Sequence, residues 1–190
     1  MQEIITIVSG LPRSGTSMMM RMLNAGGMDV VVDNVRKADT DNPAGYFEFE
    51  KVKKIKEDAS WLDGVKGKAV KMVSKLLYDL PSTYRYKVIF MRRNMQEMLK
   101  SQKTMLERRG VKDDGNDEEM ARFFKKHVAE IEGWLRDQNH FDVLYVDYNE
   151  TVKDPLKTAQ QVNTFLDKTL NAGKMAEAVD GLLYRNRRPV

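Results

Sequence analysis

The sequence predicts an α/β fold, a mostly parallel β-sheet with helices on both faces. Three observations carry this. Short β-branched apolar runs alternate with longer helical stretches along the chain. The first run, residues 4–9, lacks the polar alternation of a half-exposed strand, as suits a strand buried on both sides. That run then passes through a glycine turn directly into a helical segment.

Each element has its own warrant. Residues 16–25 are rich in helix formers, and Gly26 and Gly27 stop the helix. Residues 33–45 are polar and contain Asn42-Pro43 and Gly45, which marks a loop. A helix is expected over residues 50–61. Residues 68–73 and 87–91 are the next strands. Asn94 caps a further helix, with Glu97 in capping-box position and Gly110 closing it. Another helix starts near Asn116, with Glu119 three residues on. Its stripe holds Met120, Phe123, Phe124, Val128, Ile131, Trp134 and Leu135. Residues 141–146 form the last strand. Asp154-Pro155 then opens a helix running to about Leu166, with proline in the first turn.

Bulk properties narrow the function. The 190 residues fit one domain over residues 1–190, and 42% hydrophobic with 32% charged residues excludes both disorder and a membrane protein. The net charge of +4 is spread over 32 basic and 28 acidic residues, so a local anion pocket explains it without nucleic acid. The absence of cysteine removes disulfides, thiolate metal sites and a thiol nucleophile. The amino terminus lacks a basic-then-apolar leader, and a cytoplasmic location is expected. The 13 methionines are read as core filler. Oligomeric state stays open.

The segment VSGLPRSGTS, residues 8–17, has the glycine spacing of a phosphate loop, so the fold is of P-loop type. A strand, a tight turn and a helix amino terminus converge backbone N–H groups on an anion. A nucleotide-triphosphate loop carries lysine after its second glycine; here Thr16 stands there. The nearest cation, Arg13, comes three positions earlier. A single early cation suits a phosphosulfate better than a triphosphate. An ATP-dependent small-molecule or nucleotide kinase, with Asp147 holding magnesium, is the rival reading.

These residues resemble the sulfotransferases that use 3′-phosphoadenosine 5′-phosphosulfate (PAPS), especially their compact bacterial members. The resemblance implies that Pro12, Arg13, Ser14, Gly15, Thr16 and Ser17 wrap the 5′-phosphosulfate. It makes Arg13 the group that neutralises charge on the departing phosphate oxygen. A second match lies in FMRRNMQEMLKS, where Arg93 and Ser101 have the spacing of the pair that reads the 3′-phosphate. The segment 143–155 resembles a family strand end followed by a proline-led helix, and Arg185 or Arg187 near the carboxyl end would add to the 3′-phosphate, with Arg187 the choice. PAPS is then the co-substrate, a small molecule the acceptor, and no metal is required.

Sulfuryl transfer also needs a base for the acceptor's proton. Many family members place a histidine two residues after a strand-end lysine. Here Lys71 matches the lysine, but Val73 replaces the histidine. His127 lies beside the apolar stripe of its helix and suits a structural role, while His140 is expected in a turn before a strand, so neither makes a good base. The resemblance, in which compact members often use a glutamate after the first helix and bacterial ones carry a similar Gly-Tyr-Phe-Glu stretch, assigns the base to Glu48 of NPAGYFEFE, with Lys71 on the leaving side. Asp33, Asp39 and Asp41 are read as solvated loop carboxylates. The departure at Val73 keeps open a non-catalytic PAP- or PAPS-binding domain, PAP being the 3′,5′-bisphosphate product.

Overall fold

The structure is a computed structural model that describes residues 4–33, 35, 45–108, 110, 116–167 and 170–180. Strand β1 (Ile5–Gly10) leads through the glycine loop into α1 (Thr16–Ala25). Two short 3₁₀ segments, Glu50–Lys54 and Ser60–Val65, precede β2 (Ala69–Lys71), and a third, Ser74–Asp79, follows it. Then come β3 (Tyr86–Arg92), α2 (Met95–Arg108), α3 (Asp117–Arg136), β4 (Phe141–Asp147), α4 (Tyr148–Lys153), α5 (Pro155–Leu166) and α6 (Ala172–Glu177).

The sheet runs in the order β2-β1-β3-β4, with every pairing parallel. Alternate strand residues feed two separate cores. Ile5, Ile7, Val70, Met72, Tyr86, Val88 and Phe90 pack on one side with Ile131 and Leu135 of α3 and with the 3₁₀ segments. Val8, Ala69, Ile89, Met91 and Val146 pack on the other with α1, α5 and α6. Burial on both faces is why these strands read as continuous apolar runs. Met18, Met19, Met20 and Met22 fill the second core, as adaptable thioether chains do. Among the described residues, no helix is long and apolar enough to cross a membrane.

The chain goes from β1 outward to β2 and then crosses to β3 on β1's other side. The crevice beyond the carboxyl ends of β1 and β3 is thus the switch point where ligands of open α/β sheets bind. It brings the loop after Gly10 beside Arg92 and Arg93.

Two expectations change. The helix over residues 50–61 is instead two 3₁₀ segments, because Asp58 Oδ1 accepts from the Ser60 N–H at 2.9 Å and turns the chain between them. Tighter winding still points Val52 and Ile55, three residues apart, into the core. On α3 the stripe is only partly covered: Phe124 is buried, whereas Phe123 is 64% exposed and Met120 41%. The small cluster of Leu11, Met98 and Leu99 covers Phe124's side of the helix alone.

Capping follows the expected chemistry. Asn116 Oδ1 accepts from the Glu119 N–H at 3.1 Å while its amide donates to Glu119 Oε2 at 2.6 Å, which closes the box. Asp154 caps α5 ahead of Pro155. Both histidines are packing residues. His127 Nε2 lies 2.9 Å from Ser74 Oγ, and the His140 ring sits 4.3 Å from that of Phe141.

Burial holds both histidines below the ordinary value of 6.5, Glu130 opposing the effect at His127 and Arg85 reinforcing it at His140. The unfolded chain therefore binds more protons, and the stability they contribute, complete above pH 6.5, is lost as pH falls through their lowered folded values. Urea midpoints measured between neutral and mildly acid pH should decline in this window, and His127→Gln with His140→Gln should flatten the decline.

Candidate active site

The glycine loop is shaped by two close approaches. A Cβ on Gly10 would stand 2.6 Å from both the Met91 carbonyl oxygen and Ser14 Oγ, so β3 passes too near for a side chain. A Cβ on Gly15, where φ is +103°, would lie 2.4 Å from Tyr148 Cδ2. Between them Arg13 adopts φ 67°, a left-handed conformation that costs an arginine about 1–3 kcal/mol and persists where surroundings impose it. Ser14 is buried, and its Oγ makes no hydrogen bond, while Pro12 is exposed. Thr16 and Ser17 begin α1, half-buried.

The imposing contacts come from β3 and α2. Arg93 Nη1 donates to the Arg13 carbonyl at 3.1 Å. Arg13 Nε donates to Ser101 Oγ at 3.0 Å. Ser101 is only 3% exposed, so it faces the loop rather than solvent. The phosphate loop and the Arg93–Ser101 pair, far apart in sequence, therefore form one site.

Arg93 is itself held by residues that the sequence reading passed over. Glu97 Oε2 lies 3.6 Å from Arg93 Nε, and both side chains are under a tenth exposed. Asn149 Nδ2 donates to the same Glu97 oxygen at 3.0 Å. The Tyr148 ring lies under the guanidinium, 4.3 Å from Cζ. Burial raises the Tyr148 phenol above its ordinary value, against the pull of Arg93, which keeps the ring neutral. The i,i+4 spacing of Arg93 and Glu97 was the available signal, but Glu97 also fits a capping box, and Asn94 does accept its N–H at 3.3 Å. Tyr148 and Asn149 lie in the segment 143–155, which reads in sequence as a strand end followed by a proline-led helix.

Across the loop stands the second group. Lys71, at the end of β2, donates from Nζ to Ser17 Oγ at 3.3 Å and to the Tyr46 carbonyl. Ser17 Oγ also donates to that carbonyl at 3.2 Å. Glu48 Oε1 comes within 3.9 Å of Lys71 Nζ, with 22% of its side chain exposed. The expected base and the expected lysine are thus neighbours. Val73 is 45% exposed beside them and offers no proton acceptor. Arg185, Arg187, Asp39 and Asp41 lie outside the described residues, and Asp33 proves to bond backbone groups rather than water alone.

Asp147, the magnesium ligand a kinase would need, caps α4 instead. One carboxylate oxygen accepts from the Asn149 and Glu150 N–H groups at 2.8 and 3.1 Å.

The fold is a parallel α/β sheet whose glycine loop, at the switch point, is cross-bonded to a cation on the neighbouring strand end. The chain belongs to the sulfotransferase family: the family model described as a sulfotransferase domain matches residues 4–188. Among solved structures, it is similar to the sulfotransferase domain from the curacin biosynthetic pathway, with TM-score 0.55 and 14% identity over 95% of this chain and 79% of that one. It is also similar to the sulfotransferase domain of the Synechococcus PCC 7002 olefin synthase, with TM-score 0.57 and 12% identity over 97% and 80%. At such identities the likeness is one of fold. No curated protein matches the chain in sequence.

Two substitutions test the scaffold. Glu97→Ala leaves a buried guanidinium without its carboxylate and should cost about 3–5 kcal/mol in chemical denaturation. Gly15→Ala should destabilise by about 1–3 kcal/mol from backbone strain and should displace Tyr148 in a crystal structure.

Proposed function

We propose that this sulfotransferase moves a sulfuryl group from PAPS to a hydroxyl or amine of a small-molecule acceptor. The observation that carries the reading is the bond from Arg13 to Ser101, with Arg93 on the Arg13 carbonyl. It joins the groups assigned to the donor's 5′ and 3′ ends. The loop also fits such a donor physically. Ser14 Oγ is a buried polar atom with no hydrogen bond, a group that an anion's oxygen would satisfy.

In this assignment the loop backbone from Pro12 to Ser17 holds the sulfonate and 5′-phosphate. Arg93 and Ser101 hold the 3′-phosphate, with Arg187 added. The acceptor oxygen or nitrogen attacks sulfur in line. The bond from sulfur to the 5′-phosphate oxygen breaks, and PAP departs carrying the electron pair. Arg13 and Lys71 face the charge that builds there, and Glu48 takes the acceptor's proton. No step calls for a metal ion. A protein working on a diffusible donor and a small acceptor needs neither nucleic acid nor membrane and suits the cytoplasm.

Arg13 spends its Nε on Ser101, so the guanidinium bridges the two donor ends before any donor arrives. A 3′-phosphate at Ser101 would accept that hydroxyl's O–H while the hydroxyl oxygen still accepts from Arg13, so one cation stands beside both donor ends. Donor recognition and leaving-group stabilisation then share one residue.

PAP should raise the melting temperature, and Mg-ATP should not; the reverse outcome would install the kinase reading. With labelled PAPS and a panel of phenols, sugars and amines, Glu48→Gln should lower kcat by about 10²–10⁴-fold, the usual contribution of a general base. PAP binding without transfer to any acceptor would establish the non-catalytic domain instead.

A further inference from the structure

Glu48 lies in a stretch without regular secondary structure, residues 45–49, yet a base must hold its carboxylate in a fixed direction. Upstream, the Tyr46 carbonyl is fixed by Lys71 and Ser17. Phe47 follows at φ 51°, a left-handed conformation that a bulky residue adopts only under constraint. Constraint on the far side comes from Asp33. Its N–H donates to the Glu48 carbonyl at 3.2 Å. Its Oδ2 accepts from the Glu50 N–H at 2.5 Å, and its Oδ1 from the Val35 N–H at 3.0 Å. Two of these bonds grip the chain at Glu48 and Glu50, and the third, from Val35, orients the Asp33 carboxylate locally.

We propose that Asp33 is a positioning residue for sulfuryl transfer, clasping the backbone at Glu48 and Glu50 and so setting the direction of the Glu48 carboxylate. The inference rests on Glu48 being the base. Aspartate suits the task because each oxygen serves a different backbone donor, and the charge strengthens both bonds. The Glu50 N–H above all, then that of Val35, holds the Asp33 carboxyl below its ordinary range, with Lys53 adding a smaller pull. The clasp is therefore ionised at neutral pH.

Hydrogen exchange and carboxyl 13C spectra of Asp33→Ala and Asp33→Asn read the clasp without any acceptor. In Asp33→Ala, exchange at the Val35 and Glu50 amides should accelerate by about tenfold or more. The Glu48 carboxyl resonance, set partly by Lys71 at 3.9 Å, should move to that of a solvated glutamate. PAP affinity should hold within about twofold, since the donor side does not touch Asp33. Asp33→Asn, which keeps one oxygen acceptor, should restore part of both signals.

Transfer to 2-naphthol supplies the kinetic arm. Asp33→Ala should lower kcat by about 10²-fold, the effect of a misplaced catalytic group, with the KM for PAPS unchanged. It should cause no further loss in a Glu48→Gln background. A Glu48 resonance that does not move, a lost PAP affinity, or an equal kcat loss with and without Glu48 would each overturn the positioning role. Wild-type kcat in Glu48→Gln alone would overturn the base assignment, a failure separate from that of the clasp.

Discussion

Arg93 is the residue through which the donor side of the site holds together. Its guanidinium meets the Arg13 carbonyl, the Glu97 carboxylate and the Tyr148 ring. These partners come from the glycine loop, α2 and α4. A cation this buried depends on its paired carboxylate, so the end of β3 and these three elements are mutually dependent. The loop keeps its left-handed turn at Arg13 because Arg93 bonds that residue's carbonyl. Arginine is required here for its geometry: one planar group bonds in its plane while an aromatic ring lies against its face.

Sheet topology makes this convergence inexpensive in chain length. β1 and β3 are paired neighbours, Gly10 facing Met91 in register. The residues just past each strand therefore start within a strand spacing of one another. A glycine at position 10 lets the loop turn against the Met91 carbonyl, and the missing Cβ at position 15 lets Tyr148 come under the loop. Both glycines thus serve packing as well as the turn itself.

Legibility in the sequence followed the range of the forces involved. The strands and α1 were readable because burial on two faces leaves an unmistakable apolar run, and the bounds of α1, Thr16–Ala25, coincide with those expected. The loop, Arg93, Ser101, Lys71 and Glu48 were readable as a set through motif spacing and a family resemblance. What was not readable were contacts between elements. Glu97 has a local explanation as a capping residue, and nothing local reveals Arg93 as its partner. Tyr148 and Asn149 act on the site only because β4 lies beside β3. Phe123 was expected in the core since periodicity registers an apolar side chain and not whether anything covers it.

The two halves of the site are built on different principles. Around Arg93 lies a buried ion pair with both side chains under a tenth exposed. Around Glu48, the carboxylate is a fifth exposed and its chain segment is irregular. Backbone bonds hold the chain on either side of it: Lys71 and Ser17 at Tyr46, Asp33 at Glu48 and Glu50. Lys71 links the halves, since one ammonium bonds the loop residue Ser17 and lies beside Glu48. Ser17 adds a second link through its own bond to the Tyr46 carbonyl.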